Sequence, residues 1–407
     1  MNKNLEANLK YYYIFSAFCF TPFSIPIITL FWQSNGLTLS DIYLLEAIFS
    51  IIVVLIDIPT GMVADRLGKQ LAMKLATFMM ILGWVTYAIG HSFLAFLIAE
   101  VFLAFGQAFI SGADASLLFE TLKKLGREDE FKKHEGKAKS LQMYCFAICN
   151  IIGGFVGSYD MRATVFMSCL GPFLALIIST KLIEVNKIDK TESLSEHWSS
   201  YKNLLKSSFK FVLKHKLIQW NIIYFSILTG SSVWLLWLYQ PYMEFIGLPV
   251  WFFGIAFATF NFFAAFISGI SHRIIRKYGL NNTYLILGFL QLIPLILMSV
   301  VLTKISFLFI LGHQAVRALG RPLIVGEILK YTYSDKRATI ISFGSLFSRL
   351  FFSITAPFIM YVADKGVLEN LATQATMLTI FLAFMYFSYK KIPEKYFQVK
   401  DTVLQKT

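Results

Sequence analysis

Apolar positions in this chain come in long runs rather than in the alternating rhythm of a soluble helix or strand. Runs of about 20 apolar residues, the length an α-helix needs to cross a bilayer, can be placed at 11–32, 41–63, 71–90, 93–118, 140–158, 162–182, 216–240, 250–271, 283–302, 305–329, 338–362 and 371–389. They predict an all-α membrane protein with twelve transmembrane helices. One long polar stretch, rich in Lys, Ser and Glu, interrupts the series at 184–214 and leaves six runs on each side. The expected organisation is an N-terminal six-helix half over 1–183, a linker over 184–214, a C-terminal six-helix half over 215–390 and a tail over 391–407.

Composition agrees, because a 407-residue chain that is 57% hydrophobic and 15% charged has too few polar residues to cover a water-facing surface. Its net charge of +13 could suggest nucleic acid, but the basic residues are distributed by loop. Alternate polar segments, namely the N-terminus, 65–74, 119–139, 181–216, 272–278, 330–337 and the tail from Lys390, hold 31 of the 37 Lys and Arg; those between hold Arg162, Lys304 and Lys365. This asymmetry predicts an even number of spans with both termini cytoplasmic. Cys19, Cys145, Cys149 and Cys169 all fall within apolar runs, so no disulfide framework is expected. The first run continues through Pro22 and Pro26 to Trp32 without a small-residue cleavage site, and reads as the first span rather than a leader.

The segment Gly61-Met62-Val63-Ala64-Asp65-Arg66-Leu67-Gly68-Lys69-Gln70 is a short charged connection bracketed by glycines between the second and third runs. It resembles the Gly-x-x-x-Asp-Arg-x-Gly-Arg-Lys loop of the major facilitator superfamily. Asp57-Ile58-Pro59-Thr60 before it, Ser111 to Leu122 closing the fourth run, Arg317-Ala318-Leu319-Gly320-Arg321-Pro322-Leu323 and Arg337-Ala338-Thr339 are similar to a bacterial subgroup of that family. A degenerate second copy of the loop, Ser268-Gly269-Ile270-Ser271-His272-Arg273 with Arg276, Lys277 and Gly279, follows run eight, where a duplicated six-plus-six chain requires one. The resemblance implies a secondary transporter whose halves rock about a site near the bilayer mid-plane. It also implies a gating role for Gly61, Asp65, Arg66, Gly68 and Lys69, with Asp65 meeting the helix start at Ala338 and Thr339. The chain departs from drug-exporting members in three places. Run one has no acid, Phe102 stands where an arginine is common, and the antiporter pattern of the fifth helix is reduced to Gly153, Gly154 and Gly157 without its proline.

Ionisable groups inside the spans are costly unless they face a partner or water, so each is a candidate for function. Glu46 and Asp57 are 11 residues apart, about three turns, and share a helix face. Glu100, Gln107 and Asp114 recur at seven-residue spacing in run four, and His313, Arg317 and Arg321 at four-residue spacing in run ten, with Glu327 beyond them. Arg349 lies near the middle of run eleven. Glu46, Asp57 and Asp114 are candidates for proton coupling, with a structural ion pair as the alternative for Glu46. Glu100, Gln107, Arg317, Arg321, Glu327 and Arg349 are candidates for the substrate cavity, with internal pairing as the alternative for the arginines. His313 reads as a packed polar residue, Cys145 and Cys149 as packing residues rather than metal ligands, and Trp234, Trp237, Tyr239 and Trp251 as an interfacial belt.

No Gly-x-x-x-x-Gly-Lys-Ser/Thr loop is present, so protons rather than nucleotide hydrolysis are the expected energy source, and no cofactor or metal is expected. The expected function is proton-coupled export of a drug, peptide or metabolite across the inner membrane by a monomer. Uptake of an anionic or zwitterionic metabolite is the alternative. A membrane-embedded enzyme would need a catalytic cluster, and the six histidines are scattered.

Overall fold

The computed structural model describes residues 2–185, 194–332 and 337–393, and every regular element among them is helical. The chain divides into two compact units, Met1–Lys190 with Gly247–Asn261, and Thr191–Ile246 with Phe262–Thr407.

In the first unit, α1 (Asn2–Cys19) ends before Pro22 and Pro26, and the chain restarts as α2 (Ile28–Ser34). The proline nitrogens cannot donate to a helix, so the expected single run at 11–32 is a broken one. α3 (Leu39–Leu67) opens on a capping box, in which Thr38 Oγ1 accepts from the Asp41 amide at 3.2 Å and the Asp41 carboxylate accepts from the Thr38 amide at 2.9 Å. Only Gly68 separates it from α4 (Lys69–Ile89), and α5 (Phe93–Ile110) follows. The run expected as one helix over 93–118 bends at Gly112, where φ is +82°, and continues as α6 (Ala113–Lys124). α7 (Phe131–Gly157), α8 (Met161–Met167) and α9 (Leu170–Ser179) complete the series. Phe15, Met73, Ala76, Met80, Leu117 and Ala175 form the middle of the core.

The second unit begins with a helix that the polar composition of 184–214 did not suggest, α10 (Leu194–Lys214). Its Phe209 meets Phe343 edge-on at 6.1 Å. α11 (Lys216–Leu236) turns by 44° into α12 (Tyr239–Phe245). The turn carries Trp234 and Tyr239 into the interior, at 0% and 1% exposure, where Trp234 stacks on Phe351 and donates to Thr355 Oγ1 at 3.0 Å. Those two residues are core, and of the expected belt Trp251 is the exposed one. α13 (Val250–Val300) is kinked at Gly279, where the backbone is non-helical, and its 51 residues would span about 75 Å if straight, more than twice a hydrocarbon core of about 30 Å. It is therefore two spans joined at Gly279. α14 (Ile310–Lys330), α15 (Arg337–Ala363) and α16 (Val367–Lys390) follow.

Eight helices among the described residues are long and apolar enough to cross a membrane, or nine with the bent α11–α12 pair as one span. Reading α13 as two spans, and adding the broken α1–α2 and the charged α14, is compatible with twelve.

The first stretch of α13 lies in the first unit, against α7. A Cβ on Gly154 would lie 2.6 Å from the Gly254 Cα, and one on Gly254 would lie 3.0 Å from the Ile151 Cα. Only glycine allows these two backbones to touch.

Candidate functional site

Two buried carboxylates of the first unit lie within electrostatic reach of one buried phenol. Glu46 on α3 is 6% exposed, Glu100 on α5 is 4% exposed, and Tyr87 on α4 is fully buried. The Tyr87 hydroxyl donates to Glu100 Oε1, and the Glu46 charge acts on the same phenol. Aromatic rings wall the group, with Trp32 and Trp84 each 5.9 Å and Phe96 5.3 Å from the Tyr87 ring. One buried carboxylate thus accepts from a buried hydroxyl, with a second buried carboxylate within electrostatic reach, where little water can screen charge.

Asp57 and Asp114 sit in different settings. Asp57, expected on the face of Glu46, is exposed, whereas Glu46 is buried. The polar stripe expected along one helix is interrupted, since Glu100 and Gln107 belong to α5 and Asp114 to the first turn of α6 beyond the Gly112 bend. Asp114 accepts from the Ala115 amide at 2.7 Å, and Lys139 on α7 and Tyr12 on α1 lie within electrostatic reach of it.

The glycine-bracketed loop is held by partners that sequence reading did not pair. Gly68 has φ +99°, a conformation that favours glycine, and lets α3 reverse into α4 in one residue. Lys69 forms an ion pair with Glu120 on α6, the two side chains being only 14% and 16% exposed. At the start of α4, where free amides and the helix dipole favour an anion, the Gln70 amide donates to Glu184 Oε2 at 2.9 Å, and Gln70 Nε2 donates to the Ser179 carbonyl at 3.2 Å. Asn8 fixes the same stretch by donating to the Ile183 carbonyl at 3.0 Å and accepting from its amide at 2.9 Å. Gly61 and Arg66 are half-buried. The side chains of Asp65 and Ala338 lie outside the described residues, and their expected meeting with them. The second copy of the loop ends in the same way as the first, at Gly279 with φ +74°.

In the second unit, Arg317 and Arg321, one turn apart on α14, line a cavity of about 480 Å³ with Ser268, Pro322 and Val325. Arg317 Nη1 donates to Gln314 Oε1 at 3.4 Å, and Gln314 Nε2 to the Tyr239 hydroxyl at 3.4 Å. Glu327, expected near these arginines, is buried and pairs with Lys330. Arg349 is half-buried on α15, and its carbonyl accepts from Ser353 Oγ at 3.0 Å. His313 is fully buried and neither ring nitrogen has a hydrogen-bond partner among the described residues.

Comparison with known proteins gives these features a context. The family model described as Major Facilitator Superfamily matches residues 12–357. The chain is 22% identical over 326 residues to the uncharacterized MFS-type transporter YxaM of Bacillus subtilis (strain 168), a match covering 79% of this chain and 80% of that one. It is 27% identical over 203 residues to the quinolone resistance protein NorA of Staphylococcus aureus (strain Mu50 / ATCC 700699), covering 48% of this chain and 49% of NorA. Among solved structures it is similar in fold to the nucleoside transporter NupG (TM-score 0.73, 11% identity, 96% of this chain and 99% of that one). The peptide transporter POT in complex with sulfate is also similar in fold (TM-score 0.71, 11% identity, 95% and 94%).

Proposed function

The chain belongs to the major facilitator superfamily, and from that premise we propose that this multi-pass membrane transporter of small molecules is a proton-coupled exporter. It works in the bacterial inner membrane by alternating access, with both termini cytoplasmic. The observation that carries this reading is the Glu46–Tyr87–Glu100 cluster. In one conformation the pair holds a proton, with Tyr87 donating to Glu100. In the other, water reaches the pair and the proton leaves. Two carboxylates around one donor respond to a proton more sharply than the exposed Asp57 or the amide-capped Asp114 can, and Glu46 is the residue expected to couple transport to the gradient. The half-length likeness to a quinolone resistance protein favours export. Lys69, Glu120 and Glu184 set the geometry of the Gly61–Lys69 gate.

A second reading, uptake of an anionic or zwitterionic metabolite, rests on Arg317 and Arg321. Neither has an acidic partner among the described residues, and both line one cavity. Vesicles of the two orientations separate the readings. An exporter accumulates a fluorescent quinolone in everted vesicles energised by respiration, and an uptake system accumulates an anionic solute only in right-side-out ones. Accumulation confined to right-side-out vesicles overturns export.

A further inference from the structure

The second unit carries a crevice of about 680 Å³ between the later part of α13 and α16, away from the arginine cavity. Its volume lies within the range of about 300–1,000 Å³ usual for ligand pockets. Along one wall Asn281, Leu285, Phe289 and Leu292 recur at helical spacing, and along the other Thr379, Ala383, Phe387 and Lys390 do so. Each wall covers 12 residues, whose 11 helical steps rise about 16 Å, which is the depth of one leaflet of a hydrocarbon core about 30 Å thick. Leu285, Phe289 and Phe387 are 43%, 58% and 63% exposed, so the walls are open to the surroundings.

The floor is aromatic and its polar atoms are already bonded. Trp220 Nε1 donates to the Met385 carbonyl at 3.0 Å, the Tyr224 hydroxyl to the Tyr284 carbonyl at 2.6 Å, and the Tyr284 hydroxyl to Asn221 Oδ1 at 2.5 Å. What these side chains offer the crevice is therefore apolar ring. Gly288 gives it depth, since the position carries no side chain and even a Cβ there would stand 3.5 Å from Leu382. At the shallow end the Tyr389 hydroxyl donates to Asn281 Oδ1 at 2.7 Å, and the Lys390 ammonium lies 4.4 Å from the centre of the Tyr386 ring. Lys390 has no carboxylate partner among the described residues, and Lys391 follows it in sequence. Both ends of this mouth continue into the basic segments 272–278 and 390 onward, the side that the charge asymmetry assigns to the cytoplasm.

We propose that this crevice binds one anionic phospholipid of the cytoplasmic leaflet, with an acyl chain along the trough and the phosphate at Lys390. The length matches one leaflet, the walls match a hydrocarbon chain, and Lys390 at the mouth, with no carboxylate partner among the described residues, matches a phosphodiester. A soluble anion would not need the trough, and a zwitterionic lipid would not need the lysine.

Native mass spectrometry of the full chain in detergent, titrated with phosphatidylglycerol or phosphatidylcholine, tests the site. The wild-type chain should retain one phosphatidylglycerol at least fivefold more tightly than phosphatidylcholine. Lys390→Gln should reduce that preference about fivefold, while Gly288→Phe should abolish the site for both lipids. Ala383→Trp, on an exposed wall position, should do the same if Gly288→Phe does not fold. Inorganic phosphate should not displace the lipid. Unchanged phosphatidylglycerol retention in Lys390→Gln and Ala383→Trp, or displacement by phosphate alone, overturns the proposal.

Discussion

Lys69→Met tests whether the ion pair with Glu120 holds the Gly61–Lys69 loop. With side chains 14% and 16% exposed, the pair is close to buried. Attraction between unit charges 4 Å apart in a medium of effective dielectric about 20 is about 4 kcal/mol. Desolvation opposes it, so the pair is worth less than that, but removing one partner strands the other. A stranded buried charge costs about 3–5 kcal/mol, and some residual exposure brings the expected loss to about 2–3 kcal/mol. Glu120 Oε2 has no hydrogen-bond partner among the described residues, so none of these compensates the carboxylate once Lys69 is gone. For a unit of this size about 1 kcal/mol corresponds to roughly 2–4 °C, so the single variant should melt about 4–12 °C lower. Lys69→Met combined with Glu120→Gln removes both charges and should recover most of the loss, giving a coupling energy of about 2 kcal/mol in a double-mutant cycle. Cys19, buried in the core of the first unit, supplies the assay, because a thiol-reactive dye reports its exposure on heating. A shift under about 1 °C for Lys69→Met, or additive single variants, would show that the pair contributes nothing to the loop.

Gly154→Ala should cost about 1–3 kcal/mol, because its Cβ would meet Gly254 backbone and no side chain can rotate away; thermal unfolding measures it. Glu184→Gln weakens the charged cap on the Gln70 amide and should lower the melting temperature by about 2–4 °C, an effect that moderate salt should reduce. Arg321→Lys keeps the charge and loses the planar fork; transport of carboxylate-bearing solutes should fall about tenfold while that of lipophilic cations is unchanged, and equal effects on both would remove Arg321 from substrate recognition.

Much of the architecture is written in hydropathy. The run at 71–90 nearly coincides with α4, and the start of the run at 93 is the start of α5, because a polar boundary coincides there with a helix end. The bend at Ser111 and Gly112 escapes such reading, since two small residues inside an apolar run change its backbone without changing its hydropathy. The reverse holds for α10 and for 272–278, where Lys and Arg mark the stretch as polar yet are good helix formers. Gly68 was legible as a turn residue from its place after Asp65 and Arg66. Glu46 and Glu100 stood out as buried acids, but Tyr87 did not, because its meeting with Glu100 depends on how α4 packs on α5. Trp234 and Tyr239 were misread as a belt, since only the bend between α11 and α12 turns them inward.

The central claim is that Glu46 and Glu100 together carry the coupling proton. Purified protein reconstituted in liposomes with a pH-sensitive dye inside measures it, using the compound moved in the vesicle assay. With one proton exchanged per substrate, an imposed gradient of one pH unit is worth about 1.4 kcal/mol, or about tenfold accumulation. Wild-type protein should reach that ratio and move protons when substrate is added, whereas Glu46→Gln and Glu100→Gln should equilibrate substrate without accumulating it and without a proton signal. Wild-type accumulation and proton movement in both variants would contradict the claim.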